Sequence, residues 1–193
     1  TLGGNGFRVR QARDGEVLVT LDDVARTLTA DDLLICDATD RPIGIAGIMG
    51  GQNTEISDTT STIALETAWF EPAAIMRSAT RLGLRSEASA HFERGVDPLG
   101  LDHGVARFVE LLALTCPGLV VHQGMVDART EHLPATTALA LRPARVSALL
   151  GTAFDARAIR SLLEPIGFGV AADGADLVVT VPSWRPDCTQ EID

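Results

Sequence analysis

A carboxylate set among apolar neighbours is the first chemical feature of the sequence. Glu66 closes the run Ile63-Ala64-Leu65-Glu66 and precedes Thr67-Ala68-Trp69-Phe70. A carboxylate drawn into such surroundings needs a hydrogen-bonding or charged partner. By itself this pattern also fits a surface residue or a structural hydrogen bonder, because ionised side chains are rarely buried. Residues Arg81 to Pro98, which include Arg85-Ser86-Glu87-Ala88-Ser89, are dense in polar side chains between two apolar-periodic segments. Binding residues gather in such loops, although charges such as Glu93 and Arg94 equally suit weak surface pairs. Glycine recurs at Gly44, Gly47 and Gly50-Gly51 in an otherwise apolar run, which lets a backbone or a ligand approach closely. The order of a phosphate-binding loop is missing there.

Other chemistries are excluded or unsupported. All sixteen basic residues are arginine, so lysine nucleophiles and phosphate-loop lysines are absent. Cys36, Cys116 and Cys188 have no CxxC spacing, and the odd count suits reduced, structural thiols. His91, His103, His122 and His132 lack metal-ligand spacing and read as ordinary polar or packing residues. No Ser/His/Asp set is visible. A formal charge of -10 argues against a surface that grips a phosphate backbone along its length, so any nucleic-acid contact is local. The apolar runs are too short to span a membrane, and the amino end lacks a leader pattern. The ends read as cuts within a longer protein, with both the amino end of the first domain and the carboxyl end of the second missing.

The elements that must position these residues divide the chain in two. Strands are expected at Phe7 to Gln11, Glu16 to Leu21, Leu33 to Cys36 and Thr62 to Glu66, with a turn at Asp14-Gly15. Helices follow at Ala73 to Leu82, opened by Pro72 and stopped by Gly83, and around Val105, Phe108, Val109 and Leu112. Together these helices would cover one face of the sheet. After a strand near Leu119 to His122, residues 127–136 read as a linker. From Thr137 the order is a short strand, a helix from Pro143 to Gly151, and a helix capped by Asp155 with a buried stripe Ile159, Leu162, Leu163 and Ile166. A hairpin turning at Asp173-Gly174 into Leu177 to Val181 completes it. The expected fold is α+β: a β-rich sheet domain covered by helices (1–126), then a helix-helix-hairpin, winged-helix-like module (137–193). Five arginines against seven carboxylates from Thr137 onward favour protein docking over groove reading there.

In order and spacing, Gly44-x-x-Gly47-x-x-Gly50-Gly51, Ala64-Leu65-Glu66, Gly83-Leu84-Arg85-Ser86-Glu87-Ala88-Ser89, Phe92-Glu93-Arg94-Gly95-Val96-Asp97-Pro98 and Pro182-Ser183-Trp184-Arg185-Pro186-Asp187 resemble the bacterial phenylalanine-tRNA ligase β-subunit family. The resemblance covers the whole chain: the editing domain, then the start of the small module that follows. It implies a cytoplasmic α2β2 enzyme, with an α subunit that charges the tRNA for phenylalanine using ATP not bound here. The β region would hydrolyse tyrosine wrongly attached to that tRNA. By the same resemblance, Glu66 and the backbone at Gly47 would hydrogen bond the phenol, Ser86 would orient the ester, and Ala88 would leave room for the ring. Asp187 and Asp193 would serve a magnesium ion together with two glutamates beyond Asp193. Further pocket residues, a histidine among them, would precede Thr1, and His91 stands where relatives carry a fully basic residue. The isolated chain would therefore be inactive. The rival reading is a non-catalytic module that docks tRNA or subunits; a free-standing hydrolase on another ester or amide is a third.

Overall fold

The computed structural model describes residues 2–131 and 133–193; the expectation for His132 lies outside them. Helices and antiparallel sheets coexist, as expected for α+β, in two compact units, residues 1–96 and 97–193.

In the first unit, β1 (Phe7–Gln11), β4 (Leu33–Asp37), β5 (Pro42–Ile45) and β6 (Met49–Gly50) form a sheet in the order β1-β4-β5-β6. The strands β2 (Val17–Val19) and β3 (Ala25–Thr27) make a separate ribbon. Alternation along β4 explains the core. Leu34 and Cys36 are fully buried while Leu33 and Ile35 are half-buried. Burying Leu34, Leu28 and Ile75 contributes about 1.5–3 kcal/mol each.

Helix α1 (Pro72–Leu82) lays Ile75 and Ala79 on that core. Pro72 occupies its first turn and the Glu71 carboxylate accepts from Ala73 N and Ala74 N. Gly83, at φ +62°, ends it, and Leu84 N–H reaches back to Ala79 C=O. The short helix α2 (Glu87–Phe92) interrupts what reads in sequence as a polar loop.

One sequence expectation fails in this half. Residues 62–66 are not a strand: no other strand pairs with them, and Ile63 and Leu65 remain exposed. A β-prone run without an edge to join stays irregular.

In the second unit, helix α3 (Leu101–Thr115) buries none of its residues, and Phe108 is exposed. No residue of the face that its periodicity predicts is buried. Residues 119–122 are not a strand either. From Ala138 the expected order holds: β7 (Ala138–Leu141), α4 (Pro143–Leu150), α5 (Ala156–Leu163), a 3-10 turn, then the hairpin β8 (Gly169–Asp173) and β9 (Asp176–Thr180). The sheet order is β7-β9-β8, all antiparallel. Its core gathers Ile159, Phe168, Leu177, Val179, Val181 and Cys188. The helical stripe is narrower than expected, because Ile159 is buried and Leu163 packs on the core while Leu162 and Ile166 stay exposed. Of the cysteines, Cys36 and Cys188 are buried as structural thiols should be, whereas Cys116 is exposed. Among the described residues no helix is long and apolar enough to cross a membrane.

Candidate functional site

The glycine-rich segment is a hairpin whose turn exposes backbone. Ala46 N–H donates to Leu33 C=O (2.9 Å) and Ile48 N–H to Ile45 C=O (3.0 Å). Gly47 between them has φ +66°, which disfavours any side chain. A Cβ there would lie 3.0 Å from Phe70, 3.1 Å from Ile75 and 3.3 Å from Phe92. Phe70 and Phe92 back the turn with ring centroids 5.1 Å apart. Neither the N–H nor the C=O of Gly47 takes part in a hydrogen bond among the described residues. The backbone is thus rigidly seated and still has a donor and an acceptor to offer.

Ser86 connects this turn to α2. Its hydroxyl donates to Ile48 C=O (2.5 Å) and accepts from Ser89 N–H (3.0 Å), capping the helix. With its proton given to Ile48, Ser86 keeps one lone pair and no proton for an ester. Ser89 returns the cap: its hydroxyl accepts from Ser86 N–H and donates to Ser86 C=O, each at 3.0 Å, and it is fully buried. Ala88 is exposed on α2, two residues from the cap. Gly47, Ser86 and Ala88 are thereby brought into one assembly.

Glu66 stands on the irregular segment four residues before Phe70. It makes no hydrogen bond or ion pair among the described residues. Its own surface is exposed, yet desolvation by surrounding protein pushes its carboxyl above the usual glutamate range. These observations pull in opposite directions. Direct exposure decides that Glu66 is accessible, against the burial its sequence neighbours suggest.

Two cavities lie elsewhere. A cleft of about 250 Å³ is lined by residues that include Val17, Leu18, Arg41 and Asn53, and by none of the expected site residues. Behind the Gly47 turn, Ile48, Ala46, Ile75 and Ser78 border a space of about 10 Å³, the size of one water rather than a ring.

With this geometry in view, comparisons with known proteins are decisive. A B3/4 domain model matches residues 1–117 and a tRNA synthetase B5 domain model matches 139–193. The chain belongs to the phenylalanine-tRNA ligase β-subunit family. It is similar to the phenylalanine-tRNA ligase β subunit of Nitratidesulfovibrio vulgaris, 46% identical over 100% of this chain and 24% of that protein. It is also similar to the β subunits of Streptomyces avermitilis (44%; 96% of this chain, 22% of that protein) and Salinibacter ruber (43%; 96% and 22%). The chain spans about a quarter of the length of the curated relatives it matches.

The acids at the end of the B5 match have other partners. Asp187 pairs in a bidentate way with Arg185 (both contacts 2.8 Å), which holds its carboxyl below the usual range. Asp193 accepts from the N–H groups of Thr189 and Gln190 (each 2.9 Å), which lowers it as well. Glu191 is clamped by Arg142 and Arg145 and held at about 2. Among the described residues no cluster of three or more His, Cys, Asp or Glu side chains could hold a metal. Two acids already committed to an arginine and to backbone amides do not by themselves fit magnesium, which takes octahedral oxygen coordination.

Sequence reasoning missed Ile48, Phe70, Ser89 and Phe92 as parts of the assembly. One signal was available, the i, i+3 spacing of Ser86 and Ser89 ahead of Phe92, which is a capping-box spacing with serine in place of the usual glutamate.

Proposed function

We propose that residues 1–126 form the greater part of an editing domain that hydrolyses tyrosine mischarged onto the tRNA for phenylalanine. Residues 127–136 would be a linker and 137–193 a docking module. In this reading the whole ligase charges that tRNA with phenylalanine using ATP and magnesium, as an α2β2 heterotetramer in the cytoplasm.

The need follows from chemistry. Tyrosine differs from phenylalanine by one hydroxyl, and an apolar pocket rejects an added hydroxyl by only about a hundredfold. A second site that demands the hydroxyl restores accuracy. The observation that carries the reading is the unpartnered donor and acceptor of Gly47 on a braced turn, together with a partly desolvated, unpaired Glu66 carboxyl. A phenol would supply what these groups lack, whereas a phenylalanine ring would leave them unpaired at about 1–3 kcal/mol each. Ala88, small and exposed on α2, leaves room for a ring. Hydrolysis would proceed by a positioned water, helped by a ribose hydroxyl of the tRNA, since no activated nucleophile accompanies Ser86. Ser86, with its proton given to Ile48 C=O, would act through position and would not attack.

The test is release of tyrosine from mischarged tRNA by the full-length ligase. Glu66→Ala is expected to slow it about tenfold to a hundredfold while phenylalanine charging persists. Unchanged release would overturn the assignment.

For the second module the docking reading is the better supported. Leu149, Leu150, Leu162 and Ile166 of its helices are 56–61% exposed, and its net charge is negative. Its strand-helix-helix-hairpin order suits a winged-helix-like frame used for protein contact.

A further inference from the structure

We propose that Ser89, acting through Ser86, is a positioning residue for tyrosine selection: the two serines form a latch that fixes the backbone of the Gly47 turn. This deepens the editing reading and rests on it.

The latch is a chain of short contacts running from a buried anchor to the half-buried Gly47 turn. At its inner end the Ser89 hydroxyl holds both backbone groups of Ser86, accepting from its N–H and donating to its C=O, each at 3.0 Å. Ser89 has no exposed surface, so water cannot replace either bond without opening the helix end. With its backbone held, Ser86 reaches 38 residues back along the chain and donates to Ile48 C=O at 2.5 Å. Ile48 is the residue after Gly47, and its N–H closes the turn on Ile45. The carbonyl that Ser86 holds therefore lies next to the peptide units flanking Gly47. Both faces of the hairpin tip are then constrained, by hydrogen bonds at Ile48 and by the rings of Phe70 and Phe92 at Gly47.

Such bracing bears on selectivity more than on affinity. A glycine at positive φ has broad freedom, and a donor or acceptor that wanders recognises a hydroxyl poorly. Fixing it lets the bond to a phenol form without the turn first being ordered. The latch residues touch the turn and need not touch substrate. Phe92 closes the same short helix that Ser89 anchors, so one helix supplies the latch and half of the aromatic backing.

The experiment uses the full-length ligase and compares hydrolysis of tyrosyl-tRNA with that of phenylalanyl-tRNA under single-turnover conditions, with phenylalanine charging as the measure of intact assembly. Ser89→Ala and Ser86→Ala are each expected to lower the tyrosine-to-phenylalanine ratio roughly tenfold, with charging retained. Ser86→Thr keeps the hydroxyl and is expected to keep the ratio. A ratio unchanged in both alanine variants, or lost equally in Ser86→Thr and Ser86→Ala, overturns the latch. A merely structural role would lower thermal stability without moving the ratio. Should Ser89→Ala fail to assemble, the Ser86→Ala and Ser86→Thr pair decides alone. Glu66→Ala in the same assay separates the two claims: if it releases tyrosine normally, the editing reading fails; if it does not while both serine variants select normally, only the latch fails.

Discussion

Both units leave large apolar side chains outside, but residues 2–96 bury polar groups along with apolar ones, whereas among its described residues the second unit buries no polar side chain. Thr20, Asp32, Asp37, Ser78 and Ser89 are all buried, and all belong to the first unit. Thr20, Asp32, Asp37 and Ser89 each tie distant or turning backbone. Asp32 accepts from Thr29 N–H and pairs with Arg81 of α1. Asp37 gathers Gly3, Thr39 and Arg41, and these donors hold its carboxyl far below the usual range. A buried polar group is satisfied in few arrangements, so it selects one geometry where apolar packing alone would tolerate several. That suits a region that must hold a turn to within a fraction of an ångström. The second unit closes around six apolar residues, and its helices present Leu149, Leu150, Leu162 and Ile166 outward. The halves thus differ in how they fix geometry, the first by buried polar groups as well as apolar packing and the second by apolar packing.

The largest effects should be alike in the two halves, since apolar burial works identically in both. Leu34 on β4 and Leu177 on β9 are 0% and 1% exposed. Leu34→Ala and Leu177→Ala should each cost about 3 kcal/mol in urea denaturation followed by circular dichroism. A cost below about 1 kcal/mol at Leu177 would mean that its unit is too loosely packed to be compared with the first as a core.

A second, smaller effect concerns an ion pair of the first half. Arg10 binds Glu16 through two contacts of 2.8 and 2.9 Å, also reaches Asp40, and holds the Glu16 carboxyl down at about 2. Both partners are only about 15% exposed, so solvent screens the pair incompletely. The folded form binds the proton more weakly than the unfolded chain, whose glutamate titrates near 4.5. The stabilisation is therefore complete above about pH 4.5 and is lost as pH falls through 2. Glu16→Gln should cost about 2 kcal/mol at pH 7, and the gap from the unaltered protein should close toward pH 2 in parallel thermal melts. A gap independent of pH would show that packing, not charge, makes Glu16 matter.

How much of this was legible in the sequence depends on whether a local signal had a local cause. Helices α1 and α4 were readable because proline opens and glycine closes each, and the β8-β9 hairpin because Asp173-Gly174 demands a turn. The ribbon strand β3 escaped notice: Ala25-Arg26-Thr27 has no apolar run, and only its pairing with β2 makes it a strand. Residues 62–66 show the reverse, a β-prone run whose neighbours offer no edge. The short helix α2 was hidden because its cap depends on Ser89 and on Ile48, the latter 38 residues away from Ser86. At the proposed site, the roles of Gly47, Glu66, Ser86 and Ala88 come from the family resemblance, since residue by residue the sequence fits ordinary structural readings as well. The backing of Gly47 by Phe70 and Phe92 could not be read, because a ring contact across the fold leaves no periodicity in the chain.

The smallest expected effect concerns the outer face of α5 and the 3-10 turn after it, where helical periodicity in sequence marked Leu162 and Ile166 as core. A stripe on a helix can face its own core or a neighbour, and the 3.6-residue period is the same for both. Leu162 is 59% exposed, so Leu162→Ser should change the stability of the 193-residue chain by no more than about 0.5 kcal/mol. If that face is a docking surface, the same substitution in the full-length β subunit should lower its melting temperature or weaken its assembly with the α subunit, read by calorimetry and by sedimentation. A loss above about 1 kcal/mol in the chain alone would instead place Leu162 in its own core and erase the contrast between an inward-braced first unit and an outward-facing second one.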